Sequence, residues 1–175
     1  MEGLGGYLLD SNTFIAPARQ YYSLVGFKSY WNWLSSQKRD NILLPKIVYD
    51  ELTKDQDDAL ATWVKDNFEE VVYKDYENEI EVWNKYREIL NYVVTCGYYK
   101  DPGKSEWLKD GKADPMIIAI ACVKNATIVT FEQSAGKLSE KTPVKKEPKI
   151  PDVAKKFGVK CINLFEFEKR LKINI

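Results

Sequence analysis

Histidine is absent from the 175 residues of this chain. Without an imidazole, Ser-His-Asp and Cys-His nucleophilic chemistry, histidine general-base ribonuclease mechanisms and His-containing zinc sites are all excluded. Any hydrolytic chemistry has to run on carboxylates, on lysines or on a hard metal ion held by oxygen. Cysteine is scarce: Cys96, Cys122 and Cys161 are far apart, odd in number and form no CxxC pair. They read as reduced core thiols of a cytoplasmic protein rather than as disulfide partners or metal ligands. No apolar run approaches the roughly 20 residues a membrane helix needs. The start, MEGLGGYLLD, lacks the basic residues and long apolar stretch of a secretory signal. No membrane partner is expected.

Net charge is missing too, with 26 basic and 26 acidic residues. Its distribution is uneven, because residues 133–175 hold 11 Lys/Arg against 5 Asp/Glu and leave the first 132 residues at −6. A basic C-terminal part beside an acidic remainder suits a polyanionic substrate, and it equally suits a surface kept soluble by lysine.

What is present is globular. Hydrophobic residues make up 45% and charged residues 30% of a chain long enough to bury one core. A single domain over 1–175 is expected, with no internal repeat. Residues 112–132, KADPMIIAIACVKNATIVTFE, form the stretch around which the rest is arranged. Asp114-Pro115 is a helix start, with Asp suited to capping and Pro to the first helical position. Met116 to Val123 is apolar on both sides, as in a helix buried between layers. Asn125 ends it, and Thr127 to Phe131 is a β-branched and aromatic strand.

Along the chain, Tyr7 to Asp10 reads as a central strand and Ser11 to Thr13 as a polar turn. Gly26 to Gln37 places Phe27, Tyr30, Trp31 and Leu34 at helical spacing, as core residues. Ile42 to Leu44 is a strand, and Pro45 opens a helix through Glu51. Helices are expected over 55–67 and 76–95, with a strand at 69–73 between them. The second helix carries Ile80, Trp83, Tyr86, Ile89, Leu90 and Val93 as its apolar face. Ser105 to Lys109 is one helical turn, and Gln133 to Ile150 is a long, exposed, lysine-rich loop. Pro151 to Phe157 is a short helix, Val159 to Asn163 the last strand and Leu164 to Leu171 the last helix. Strands alternating with helices imply an α/β fold with a mainly parallel sheet.

In such a sheet, ligands gather at the carboxyl ends of the strands. Asp10 ends a strand, Glu51 lies on a helix, Asp114 starts a helix and Glu132 follows a strand. Acids gathered by a fold repel one another unless a cation offsets them, and Mg²⁺ takes oxygen ligands with one or two direct carboxylates. Each acid also has a plainer role open to it. Asp10 fits as a turn acid, Glu51 as a solvated helix acid, Asp114 as an N-cap and Glu132 as a strand terminator. Two other motifs fail on inspection: D-S-N-T at 10–13 lacks the second Asp of the phosphatase pattern D-x-D-x-[TV]. The acids at 55–58 lack the Gly and closing Glu of a calcium loop.

YLLDSN at 7–12, YDEL at 49–52, ADPMIIAIA at 113–121 and IVTFE at 128–132 resemble the motif series of PIN-domain metal-dependent ribonucleases. KIPDVA at 149–154, FGVKCINLFE at 157–166 and GYY at 97–99 resemble a PIN-like family of small proteins. The resemblance covers nearly the whole chain. It implies a three-layer α/β/α domain with a Mg²⁺ or Mn²⁺ site and endoribonuclease activity. It implies also a toxin of a bacterial or archaeal toxin–antitoxin pair, with RNA as substrate, an antitoxin as partner and a homodimer as a frequent state. By motif position Asp10, Glu51 and Asp114 match the three core acids, with Asp10 and Asp114 as direct ligands and Glu51 as ligand or water-positioner. Glu132 stands where many PIN domains carry Asp. Asn12 and Thr130 match polar positions beside the acids, and Asp152 is a second candidate for the fourth acid or an N-cap after Pro151. Lysines of 137–149 would meet the RNA backbone. The alternative is a PIN-like RNA- or partner-binding domain without catalysis.

Overall fold

A computed structural model describes residues 6–174 of the chain, so the reading of the first five residues lies outside the described part. In chain order the elements are β1 (Tyr7–Leu9), α1 (Asn12–Ala16), α2 (Lys28–Ser36), β2 (Ile42–Pro45), α3 (Lys46–Leu52), α4 (Ala59–Phe68), β3 (Val72–Tyr73), α5 (Ile80–Thr95) and α6 (Gly103–Trp107). They continue as α7 (Ala113–Lys124), β4 (Thr127–Val129), α8 (Ile150–Lys156), β5 (Cys161–Ile162) and α9 (Leu164–Arg170). The described residues form two compact units. A sheet unit comprises Gly6–Lys74, Ile128–Phe131 and 162–174, and a helical unit comprises Asp75–Thr127 and Glu132–Cys161.

Five strands form one all-parallel sheet in the order β3-β2-β1-β4-β5. Tyr7 pairs with Ile42 and Leu44 with Val72. Leu8 and Leu9 are fully buried, the continuous apolar run expected of a strand covered on both faces. From β1 the chain first adds strands on one side and later on the other, so a topological switch point lies between β1 and β4. In open α/β sheets that is where ligands bind, beyond the carboxyl ends of the strands.

Several local expectations shift. Residues 11–13 do not form a free turn. The Thr13 N–H and hydroxyl both donate to the Asp10 carbonyl, at 2.9 and 2.5 Å, and the chain passes straight into α1 and a π-helical turn over Pro17–Tyr21. On α2, Tyr30, Trp31 and Leu34 are buried as expected, but Phe27 precedes the helix and is half exposed. The helix expected from residue 55 begins at Ala59, because the Asp58 side chain accepts from the Leu60 N–H at 3.0 Å and caps it. Residues 69–71 form a 3₁₀ turn that shortens β3. Glu168 on α9 is buried with the same core, and that burial raises its carboxyl to about 7 against a Tyr22 hydrogen bond acting the other way.

In the helical unit α7 buries nearly every side chain from Ala113 to Ala121 and packs on α5 and α8. Asn125 ends it in the left-handed region, with φ 52°. The buried face of α5 is Val82, Ile89 and Val93, and Ile80 is exposed. Ile89 and Val93 belong to the expected face and Trp83, Tyr86 and Leu90 are half-buried, so the departures are Val82, buried in the first turn, and Ile80, left outside. The last strand narrows from the expected 159–163 to β5. All three cysteines are free and half-buried rather than deep in the core. Burial, with Glu132 nearby, pushes the Cys161 thiol up to about 12, which removes it as a nucleophile at neutral pH.

The 133–150 loop is not simply exposed. The Val144 N–H donates to the Tyr98 carbonyl and the Lys100 N–H to the Val144 carbonyl, both at 2.9 Å. The Gly103 N–H donates to the Lys145 carbonyl at 3.0 Å, and Pro148 and Ile150 are buried. At Gly103 a Cβ would lie 2.3 Å from the Lys146 backbone, which only glycine tolerates. Gly103→Ala is therefore expected to cost about 1–3 kcal/mol by overpacking, read as a thermal midpoint several degrees lower. An unchanged midpoint would mean that the loop is not held against this turn.

Candidate functional site

Asp10 follows β1 and is 4% exposed. Its backbone N–H continues the sheet by donating to the Val129 carbonyl at 3.0 Å. Burying a carboxylate is costly unless donors meet it. Here the Thr130 hydroxyl, itself 2% exposed, donates to Asp10 Oδ2 at 3.0 Å. The Ser11 hydroxyl reaches Asp10 Oδ1 at the longer distance of 3.5 Å. Thr130 is placed by its own N–H, which donates to the Ile162 carbonyl of β5 at 3.0 Å. The sheet unit thus fixes one acid at the switch point through a hydroxyl from the neighbouring strand. Asn12, the first residue of α1, is exposed, as is Glu51 on α3. Ser11 and Thr13 were expected only as turn residues, yet both are buried against Asp10, and the three oxygen-bearing side chains that follow it in the D-S-N-T run were the signal available.

In the helical unit Asp114 is not the N-cap expected of it. Lys112 holds that position without a side-chain capping bond, and Asp114 is the second residue of α7. Its carboxylate instead faces Lys112 Nζ at 3.4 Å, while Lys112 also reaches Glu147 Oε2 at 2.7 Å. Burial pushes the Asp114 carboxyl up to about 6; Lys112 opposes this, and the charges of Glu132 and Glu147 add to it. Glu132 accepts from Lys149 Nζ and from the Ile150 N–H, each at 2.8 Å. It thereby satisfies the first N–H of α8 with a favourable charge at the helix start. Lys149, expected to face RNA, is turned inward onto Glu132. Asp152 is not an N-cap either, since Lys149 occupies that position of α8. It accepts from the Ser134 hydroxyl and from the Ala135 N–H, holding the 134–135 turn. Lys112 and Glu147 are the charged residues that the sequence did not single out, and Lys149 has a different partner from the one expected. Lys112 stands immediately before ADP, but its pairing with Glu147 spans 35 residues and had no local signature.

Among the described residues, no three Asp, Glu or Cys side chains gather into a group able to hold a metal ion. A hard divalent ion needs only one or two direct carboxylates and fills its other positions with water or substrate oxygen. The donor chemistry of Asp10 and of Asp114 fits that demand. Asp114 in particular is mostly removed from water, with its side chain 20% exposed, and its carboxyl is raised by that burial and by two neighbouring acids and offset only in part by a lysine. Glu132 fits less well, because both its oxygens serve Lys149 and α8.

An acid following the central strand of a parallel sheet flanked by helices defines an α/β protein of PIN-like α/β/α fold. Residues 7–175 match a family model described as a domain of unknown function, DUF4411, and the chain belongs to that family. Among solved structures it is similar to a chain of VapBC2 from Rickettsia felis, crystallised bound to a DNA fragment from their promoter. The TM-score is 0.52 at 18% identity, over 90% of this chain and 97% of that one. At that identity the likeness is one of fold. No curated protein matches the sequence. Among the described residues, no helix is long and apolar enough to cross a membrane.

The raised carboxyl of Asp114 has a measurable consequence. Its folded value near 6 lies above the usual 3.8, so between about pH 4 and 6 the folded chain holds a proton that the unfolded chain has lost. Stability therefore falls as pH rises through that window, by about 3 kcal/mol. Asp114→Asn should melt at the wild-type temperature at pH 4 and several degrees above it at pH 8, in metal-free buffer. An equal difference at both pH values would contradict the raised carboxyl.

Proposed function

We propose that the chain is a metal-dependent endoribonuclease of the PIN type and the toxin of a toxin–antitoxin pair. The observation that carries this reading is Asp10, buried at the switch point of a parallel sheet and oriented by the Thr130 hydroxyl at 3.0 Å. The PIN-like motif series and the fold likeness to a chain of VapBC2 support it. In this proposal Asp10 and Asp114 hold Mg²⁺ or Mn²⁺, and Glu51 is a further ligand or orients the attacking water. Such an ion supplies a water of lowered pKa and offsets charge on the phosphodiester. Thr130 keeps the Asp10 carboxylate in one orientation, and the buried setting of Asp114 makes its charge dependent on a bound cation. Glu132 and Asp152 stay secondary candidates for a fourth acid, with Asn12 beside them as a polar group able to orient water. An antitoxin protein and a homodimeric state belong to the same proposal.

One observation favours a second reading. Glu132 is committed to Lys149 and Ile150, as expected of a domain that binds RNA or a partner without cleaving. The two part in a cleavage assay on single-stranded RNA. Asp10→Asn is expected to slow cleavage roughly 10²–10³-fold, the loss of an electrostatic contribution of about 3–4 kcal/mol, and a chelator should abolish cleavage in the wild type. Binding without any metal-dependent cleavage would favour the non-catalytic domain.

A further inference from the structure

Three aromatic rings meet in the sheet unit and do not enter its core. Tyr21 ends the π-helical turn after α1, Phe131 follows Thr130 beyond β4, and Phe165 lies in the first turn of α9, just past β5. Tyr21 and Phe131 are stacked, with ring centres 6.0 Å apart and planes 19° from parallel. Phe165 stands edge-on to both, at 5.8 Å and 79° to Tyr21 and at 6.1 Å and 82° to Phe131. Tyr21 is 44% and Phe165 48% exposed, whereas Phe14, Phe68 and Phe167 of the same unit are fully buried. The unit therefore has room for aromatic rings inside and leaves Tyr21 and Phe165 outside, fixed to a half-buried Phe131.

Their position gives the occupant. All three follow segments that leave the carboxyl edge of the sheet, on the β1–β4–β5 side, where the switch point places a ligand. Phe131 is the next residue after Thr130, whose hydroxyl holds Asp10. Arg19, two residues before Tyr21, is well exposed and meets Asp58 only at 3.4 Å. Such a surface pair contributes little, so its guanidinium can turn to a phosphate. A rigid ring platform next to a candidate phosphodiester site, with an exposed cation two residues away along the chain, is an arrangement on which bases of single-stranded nucleic acid can stack. We infer that Tyr21, Phe131 and Phe165 form a stacking platform for a nucleobase of single-stranded RNA, flanking the phosphate that Asp10 addresses. This rests on the ribonuclease reading and adds to it a substrate-positioning surface.

The test uses the full chain in chelator with single-stranded RNA oligonucleotides carrying 2-aminopurine, whose fluorescence is quenched on stacking. The wild type should quench it on binding. Tyr21→Leu and Phe165→Leu, which keep apolar bulk at exposed positions, should each weaken binding about tenfold and relieve the quenching, and Tyr21→Phe and Phe165→Trp should restore both. In metal, the leucine variants should raise KM more than they lower kcat. Wild-type quenching and affinity in both leucine variants would overturn the platform and leave the ribonuclease reading intact. Loss of binding to a protein partner with unchanged RNA binding would overturn it in favour of a protein-docking surface. A wild type that neither binds nor cleaves RNA would overturn the platform together with the reading beneath it.

Discussion

Asp10 ends the central strand almost wholly removed from water, and a carboxylate in that position persists only where donors or a cation answer its charge. The sheet unit is arranged around that need. β4 must lie beside β1 for Thr130 to reach Asp10, and β5 must lie beside β4 for the Ile162 carbonyl to place Thr130. The Thr13 bonds to the Asp10 carbonyl then turn the chain into α1 within three residues. Strand order, the tight exit from β1 and the orientation of the acid are thus one set of hydrogen bonds.

The helical unit meets a related cost differently. Acids come close to one another there, and lysines compensate them: Lys112 between Asp114 and Glu147, Lys149 against Glu132. Glu132 accepts from Lys149 on one oxygen and anchors the start of α8 with the other. Compensation is partial at Asp114, whose carboxyl stays raised. A site kept in a charge state unfavourable to folding is a common signature of function. That difference separates the acid suited to a cation from the acid occupied with structure.

Much of the sheet was legible in the sequence because its strands are short β-branched or aliphatic runs, each closed by a polar residue or a proline. Tyr7 to Leu9 and Ile42 to Leu44 are where they were expected, and the strand expected over Thr127 to Phe131 stops at Val129. Asn125 was readable as a helix stop, since it tolerates the left-handed conformation it adopts. Asp114 was misread as a cap because Asp before Pro is a strong local signal, yet Lys112 already fills the preceding extended position. Most of the apolar face of α5 was legible, with Ile89 and Val93 buried as expected, but its first turn was not: Val82 is buried and Ile80 exposed, a choice that only tertiary packing makes. Ion pairs such as Lys112–Glu147 join residues with no common periodicity, so no local pattern announces them.

The most direct measurement for the central claim is a thermal melt of the full chain in rising Mn²⁺, wild type beside Asp10→Asn. A ligand that binds only the folded chain stabilises it in proportion to the logarithm of its concentration. The wild-type midpoint should climb by several degrees across the millimolar range, while the variant, keeping the shape of the side chain without its charge, stays nearly flat. If both respond alike, or neither responds, Asp10 holds no metal and the account of this chain as a metal-dependent nuclease is contradicted.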